Sequence, residues 1–252
     1  MTETIGKIRL DQHLVDHFGY ESRSRARDAI LRGCVSLNGQ TCRKPGLAVP
    51  HVADITVDDA ASTYVSRAAL KLKLALATSG ADLTGIIALD IGASTGGFTQ
   101  LLLDAGVERV YAVDVGSDQL HPKVAADPRV INLENLNARD LKPGHFNGES
   151  PAVVTCDLSF ISITTALPAA LRLAAPGALG FFLVKPQFEV GRENIGKGGI
   201  VKNDAIVEQT VTRIRAWFED EKGWNVLDCQ VSPIAGADGN REFVLTAKKG
   251  SQ

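Results

Sequence analysis

The chain has 252 residues, 44% hydrophobic and 22% charged, the balance of a folded globular protein and long enough for a small domain followed by a medium one. No window approaches the roughly 18 to 20 uninterrupted apolar residues of a membrane span. No basic run leads into an apolar one after Met1, and the four cysteines (Cys34, Cys42, Cys156 and Cys229) form no C-x-x-C pair, so a reduced, cytoplasmic protein is expected, with neither a disulfide framework nor a zinc site.

The formal net charge of -2 argues against a polyanion partner only while it is averaged over the chain. Between positions 23 and 44 stand Arg23, Arg25, Arg27, Arg32, Arg43 and Lys44 against the single acid Asp28, a local excess that can meet phosphates.

In chain order, Ile8 to Phe18 sets Leu10, Leu14, Val15 and Phe18 on one helical face, and Gly19 ends it. Ser22 or Ser24 can cap a second helix over about 23–31 that buries Ala26, Ala29, Ile30 and Leu31. Its other side then carries Arg23, Arg27 and the outer part of Arg25. Gly33 to Leu37 reads as a short strand, Asn38-Gly39 as the turn of a tight hairpin, and Val52, Ile55 and Val57 as a returning strand. Arginines around a helix start can grip phosphate together with its backbone amides. This stretch, about residues 5–60, resembles the S4 RNA-binding module. The candidate RNA contacts are Arg9, Arg23, Arg25, Arg27, Arg32 and Lys44, with Arg67 beyond it. His13 and His17 lie four apart without an acidic or sulfur partner nearby in sequence. They are read as surface or half-buried side chains, and no metal is expected.

The expected domains are residues 1–60, a linker over 61–65, and a second domain over 66–252. That second domain opens with a helix from Ser66, its expected cap, to Leu76. Apolar strands follow at Ile86–Asp90, Val110–Asp114, Ala152–Asp157 and Ala178–Lys185, with helices between them. The repetition predicts an α/β, doubly wound, mainly parallel sheet. A long helix over about 203–221 should bury Ile206, Val207, Val211, Ile214, Trp217 and Phe218. The strands Trp224–Val231 and Arg241–Ala247, joined by a short stretch, should pair antiparallel. A Rossmann-like sheet closed by such a hairpin looks like the methyltransferase variant of the fold.

Gly92-Ala93-Ser94-Thr95-Gly96-Gly97-Phe98 lies just past the first strand of this sheet, where open parallel sheets bind ligands. Its spacing is not the dinucleotide fingerprint G-x-G-x-x-G. Asp90 is expected to meet a cationic or amino group and Asp114 a ribose diol, demands that S-adenosyl-L-methionine meets together. The cofactor-binding candidates are Asp90, Gly92, Ser94, Thr95, Gly96, Gly97, Phe98, Asp114 and Asn137. A second glycine loop, Gly191 to Gly198, misses the phosphate-loop pattern because no hydroxyl residue follows Gly196-Lys197. It is read as a mobile basic loop able to meet RNA.

Four polar residues fall where they can assemble over the cofactor: Lys71, Asp157, Lys185 and Glu242. A ribose 2'-hydroxyl is a poor nucleophile until its proton is removed. A lysine among carboxylates can steer that proton and orient the oxygen, so Lys185 is assigned as the central lysine, with Asp157 and Glu242 orienting it and Lys71 helping to position the ribose. Methyl transfer needs no metal and no covalent enzyme intermediate, only in-line placement.

Several motifs point the same way: Tyr64-Val65-Ser66-Arg67-Ala68-Ala69-Leu70-Lys71-Leu72, Asp90 to Thr99, Cys156-Asp157-Leu158-Ser159-Phe160-Ile161-Ser162, Val184-Lys185-Pro186-Gln187-Phe188-Glu189 and Gly239-Asn240-Arg241-Glu242-Phe243. Through them the chain resembles, almost end to end, the TlyA (hemolysin A-like) family, whose catalytic half resembles the FtsJ/RrmJ ribose methyltransferases. The resemblance implies a lysine-aspartate-lysine-glutamate tetrad at Lys71, Asp157, Lys185 and Glu242. It also implies S-adenosyl-L-methionine as cofactor and 2'-O-methylation of cytidine in 16S or 23S ribosomal RNA, with ribosomal RNA or subunits as partner. Some members carry an arginine and a tryptophan before the shared Val-Ser-Arg, where Ser62 and Tyr64 stand here.

Neither an amphipathic cationic helix nor an apolar span supports the pore that the hemolysin label suggests, and no obligate protein partner is evident. The competing readings are a non-catalytic RNA-binding assembly factor and a base methyltransferase. Asp157-Leu158-Ser159-Phe160 lacks the Asp-Pro-Pro-Tyr or Asn-Pro-Pro-Tyr of amino-directed enzymes, and Cys156 should point into packing rather than act as a nucleophile.

Overall fold

The structure, a computed structural model, describes residues 6–236 and 239–251. The chain divides after Thr63 into two compact units.

In the first unit, strand β1 (Lys7–Arg9) leads into helix α1 (Leu10–Phe18), which stops at Gly19. Helix α2 (Arg23–Arg32) begins at Ser22, whose hydroxyl accepts from the Arg25 amide at 3.3 Å, so of the two candidate caps Ser22 is the one used. Strand β2 (Val35–Leu37) turns through Asn38 and Gly39 into β3 (Gln40–Thr41). Both turn residues have positive φ, 50° and 74°, as the tight hairpin requires. β4 (Ala48–Pro50) pairs antiparallel with β1, and β5 (Ile55–Val57) pairs antiparallel with β2. Leu10, Leu14, Ala26, Ala29, Ile30, Val35 and Val49 form the core.

Three apolar expectations fail here. Phe18 and Leu31 are exposed because they fall outside the buried stripes of their helices. Val52 lies in a turn before β5 and is exposed rather than paired. His13 is buried and stacks 4.5 Å from the ring of the exposed His17.

Residues 61–65 are shared between the units. Ala61 and Ser62 bond to Asp59, whereas Val65 donates to the Gln100 side chain and Tyr64 joins a core with Leu72 and Phe98. Helix α3 (Ala69–Ser79) starts two residues later than a Ser66 cap implies. Ser66 lies in the preceding turn, its hydroxyl accepting from the Ala68 amide at 3.2 Å.

The second unit is built on one seven-stranded sheet. In chain order its elements are β6 (Ile87–Ile91), α4 (Gly97–Asp104), β7 (Arg109–Val113), α5 (Pro122–Ala125), β8 (Val130–Leu133) and β9 (Val153–Cys156). Then come α6 (Ile163–Ala166), α7 (Pro168–Leu173), β10 (Leu179–Val184), α8 (Pro186–Glu189), α9 (Asp204–Ala216), β11 (Trp224–Val231) and β12 (Phe243–Lys249). The spatial order is β11-β12-β10-β9-β6-β7-β8, with β12 antiparallel to both neighbours and the remaining pairs parallel. This is the doubly wound sheet closed by an antiparallel hairpin that the strand pattern predicts.

Strand alternation divides the core into two layers. Leu89, Tyr111, Val154, Phe182 and Leu245 pack with α7 and α9, while Ala88, Val110, Val153, Phe181 and Val244 pack with α3 and α4. The last turn of the long helix is wound as a π turn over Trp217–Glu221, which stacks Phe218 on Phe182 at 4.6 Å. Among the described residues no helix is long and apolar enough to cross a membrane.

Candidate active site

The strand order reverses between β6 and β9, so the connections leaving these two strands diverge and open a crevice beyond their carboxyl ends. Two hollows lie there. The first, a cavity of about 210 Å³, has walls including Ile91, Val113, Val115, Leu136, Ala138, Leu158 and Ile161, and Asp114 and Asn137 are its polar edge. The second is polar and is lined by Ser66, Ser94, Thr95, Asp157, Ser159 and Lys185 among others. Gly92 and Ser159 line both, so the two are continuous.

The loop after β6 owes its shape to backbone constraints. Gly92 has φ +77°, and a Cβ on it would sit 2.6 Å from the Asp157 carbonyl oxygen, so only glycine lets the two loops close on each other. Asp114 is clamped from below. One carboxylate oxygen accepts from the Ser94 amide and the other from the Gly116 amide, both at 2.8 Å. The carboxylate therefore stands fixed at the rim of the apolar cavity, where it can receive a ribose diol. Apolar walls for a heterocycle, a fixed carboxylate, and bare glycine backbone leading into a polar cleft fit S-adenosyl-L-methionine.

Of the expected cofactor residues, Gly92, Ser94, Thr95, Gly97 and Phe98 line the polar cleft, and Asp114 and Asn137 the apolar cavity. Asp90 and Gly96 do neither. Asp90 is fully buried, its two carboxylate oxygens accepting from Thr99 and Thr155 at 2.6 and 2.8 Å, and burial pushes its pKa up to about 6. It joins α4 to β9 beneath the loop and is not in position to hold an amino group. Gly96 backs onto Leu120 and Val124 instead.

The four polar residues assigned to chemistry do converge. Lys71 Nζ donates to Glu242 Oε2 at 2.6 Å and lies 3.9 Å from Asp157 Oδ2. Lys185 Nζ sits 2.6 Å from Asp157 Oδ1, a charge contact rather than an aligned hydrogen bond, and donates to Ser159 Oγ at 3.0 Å. One helix and the ends of three strands thus deliver an alternating row of cation and anion, with Lys71 and Glu242 deeper and Lys185 and Asp157 on the cleft. Cys156, next to this row, is fully buried and its thiol pKa is pushed up by that burial, so it is no nucleophile.

Two residues escape the sequence reading. Ser159 touches Lys185 and faces both hollows. Phe160 is 90% exposed, with φ +66°, a backbone state costly for a bulky side chain, and its ring lies 5.1 Å from that of Phe188. Both lie in the quoted run Asp157-Leu158-Ser159-Phe160, but an apolar residue held outward by its backbone leaves no trace in hydropathy. The cavity wall around Leu136 and Ala138 was also unseen, because β8, short and partly exposed, gives no unbroken apolar run.

The basic residues of the first unit separate into two groups. Arg27 and Lys44 are exposed. Arg9 and Arg23 stay half-exposed while both bond to Asp11, and Arg25 donates to the Ala61 carbonyl. Arg32 does not fit the role of a phosphate contact. Its side chain is 18% exposed and is bound to Asp28 at 2.7 Å and to the buried Asp59 at 2.9 Å. Asp59 also accepts from Tyr20 at 3.0 Å, so Arg32 is an internal cross-link. Arg67 belongs to the second unit and is half-buried.

Residues 64–249 match the model for FtsJ-like methyltransferases and residues 8–54 the S4 domain. The 16S/23S rRNA (cytidine-2'-O)-methyltransferase TlyA of Mycobacterium tuberculosis is 41% identical over 95% of this chain and 89% of its own length. The chain belongs to the TlyA family of FtsJ-like methyltransferases. A further relative, the protein called Hemolysin A in Brachyspira hyodysenteriae, is 40% identical over 94% of this chain and 98% of its own. A solved putative hemolysin from Streptococcus thermophilus shares 37% identity and a TM-score of 0.76, covering 99% of this chain and 90% of that one. The TlyA-family sheet and cofactor crevice described above are therefore those of an S-adenosylmethionine-dependent methyltransferase.

Proposed function

We propose that this protein methylates the ribose 2'-hydroxyl of a cytidine in 16S or 23S ribosomal RNA, with its first unit gripping the RNA, and that it works in the cytoplasm, where ribosomal subunits are found. The observation that carries the reading is the row Lys185–Asp157–Lys71–Glu242 at the floor of a polar cleft continuous with a nucleoside-sized apolar cavity. The activities for which the Mycobacterium tuberculosis relative and a 38% identical Campylobacter jejuni 23S rRNA (cytidine-2'-O)-methyltransferase are named support it.

When bound, S-adenosyl-L-methionine supplies an electrophilic methyl group on a positively charged sulfur. Asp114 takes the ribose diol, and the walls from Val113 to Ile161 enclose the base. An ammonium has three N–H donors. Lys185 donates one of them to Ser159 and faces Asp157 as a charge contact, which leaves a donor for the target oxygen. Methyl transfer would require the 2'-oxygen, so held, to stand in line with the methyl group. With the cofactor in place, the Lys185 ammonium would hand a proton to the Asp157 carboxylate 2.6 Å away and take up the hydroxyl proton in its stead, so that the positive charge on the sulfur is discharged as the methyl group is transferred. Lys71 and Glu242 fix the position of Asp157 from behind. Phe160, held outward at the rim, offers a flat face on which the target base stacks.

The test is transfer of a radiolabelled methyl group from S-adenosyl-L-methionine to purified small and large subunits that lack the modification, with the product mapped by mass spectrometry. A 2'-O-methylcytidine that falls by about a hundredfold or more with Lys185→Ala is expected. A methyl group on a base would overturn the assignment of the acceptor, and no incorporation despite measured cofactor binding would favour an assembly factor.

A further inference from the structure

The cleft is lined by two loops that leave neighbouring strands, residues 157–162 after β9 and 185–189 around α8. The ladder between β9 and β10 runs from Val153 opposite Leu179 to Cys156 opposite Phe182 and goes no further. Past it, side chains join the loops. Two of these contacts lie on the cleft, Lys185 with Asp157 and Lys185 with Ser159, and a third sets the exposed Phe160 against Phe188. The fourth is buried behind them. The Glu189 side chain, 1% exposed, accepts from Ser162 Oγ at 2.6 Å and from the Ile163 amide at 2.8 Å. Its own position is held by Arg213 of α9, whose guanidinium donates to the Glu189 carbonyl at 2.8 Å and lies 3.9 Å from the carboxylate.

Burying a carboxylate is costly, and burial raises the pKa of Glu189. Helix α6 does not require it as a cap, because Ser162 already accepts from the Thr164 amide at 3.2 Å. What does require an anchor is Phe160, two residues upstream. A phenylalanine at φ +66° persists only where its surroundings fix the chain on both sides. Upstream the anchor is Asp157, held by Lys185; downstream it is the pair of bonds to Glu189.

We propose that Glu189 is a positioning residue for methyl transfer: by clamping the start of α6 to the Lys185 loop it holds Phe160 in its outward conformation, and so sets where the target base lies. The inference rests on the reading of Phe160 as the surface that takes the base.

A double-mutant cycle on the full chain tests it, using subunits that lack the modification as substrate and calorimetry for S-adenosyl-L-methionine. Glu189→Ala is expected to lower kcat/KM for RNA by about tenfold or more while cofactor affinity changes by less than about twofold, because misplacing the base spoils alignment without touching the cofactor cavity. Glu189→Gln, whose amide can serve both partners, is expected to recover most of the loss. In a Phe160→Ala background the further loss from Glu189→Ala should shrink to about twofold or less. If Glu189→Ala does not fold, Ser162→Ala removes one of the two bonds and takes its place in the cycle. Additive losses, or a parallel loss of cofactor affinity, would overturn the clamp. A Phe160→Ala enzyme as active as the parent would instead remove the reading of Phe160 on which the clamp depends.

Discussion

Among the ionisable residues under the crevice, Asp90 and Lys185 are both buried, but only Lys185 lines the cleft. Asp90 is sealed in, and desolvation raises its pKa from 3.8 to about 6, only partly offset by the two threonine hydroxyls. A raised folded-state value means that its contribution to stability is fully present below about 3.8 and is lost as the pH climbs through about 6. At neutral pH the fold carries the whole cost, about 3 kcal/mol. Asp90→Asn keeps the shape. Thr155 can accept from the new amide and turn its own hydrogen toward the Leu89 carbonyl, 3.5 Å away. The variant should therefore be more stable than the parent in urea at pH 8 and nearly equal at pH 4, and parallel pH profiles would refute the argument. Lys185→Ala is expected to cost turnover and some stability as well, because the partly buried Asp157 then keeps only Lys71 at 3.9 Å. Glu242→Ala leaves Lys71 buried with only Asp157 at 3.9 Å. That should cost about 3 to 5 kcal/mol, read as a lower urea midpoint.

At the scale of elements, legibility followed length and burial. β6, β7, β9 and β10 are apolar runs covered on both faces, and β11 and β12 are long enough to show themselves, so each could be placed from sequence. β1, β4 and β8 are as short as β9 but are partly exposed, so no unbroken apolar run marks them. The convergence of Asp157, Lys185 and Glu242 was legible because charged residues at the ends of apolar strands have few places to go, and Lys71 comes to them from α3. Asp90 was misassigned because it looks the same in sequence, and only the facing threonines reveal that it turns inward. Phe160 could not be read because its message lies in the backbone. Its left-handed state yields a test of its own. Phe160→Ala and Phe160→Gly should lose the same activity, about fivefold to a hundredfold in kcat/KM, if the ring stacks on a base. The glycine variant should nonetheless be the more stable of the two by about 1 kcal/mol, since glycine adopts that φ without penalty. Equal urea midpoints would mean that the loop relaxes when the ring is removed.

Across the whole molecule, chemistry and grip reside on different units, and this separation gives the last prediction. The second unit holds the cofactor crevice and the charge row, while the first carries the exposed basic residues on and around α2. Phosphate contacts add affinity through counterion release, so each one lost should flatten the salt dependence of binding by roughly one unit in the log–log slope. Replacing Arg23, Arg27 and Lys44 together by alanine should raise KM for the ribosomal substrate and shrink that slope. The kcat at saturation and the affinity for S-adenosyl-L-methionine should hold. Arg32→Ala is the informative contrast. Charge counting alone ranks it with the other arginines, but it would strand Asp59, whose side chain is 3% exposed, at a cost of about 3 to 5 kcal/mol. It should therefore lower the melting temperature of the first unit. If Arg32→Ala instead behaves like the surface triple variant, changing the salt slope with stability intact, then the Asp59 cross-link does not hold in solution and Arg32 returns to the set of phosphate contacts.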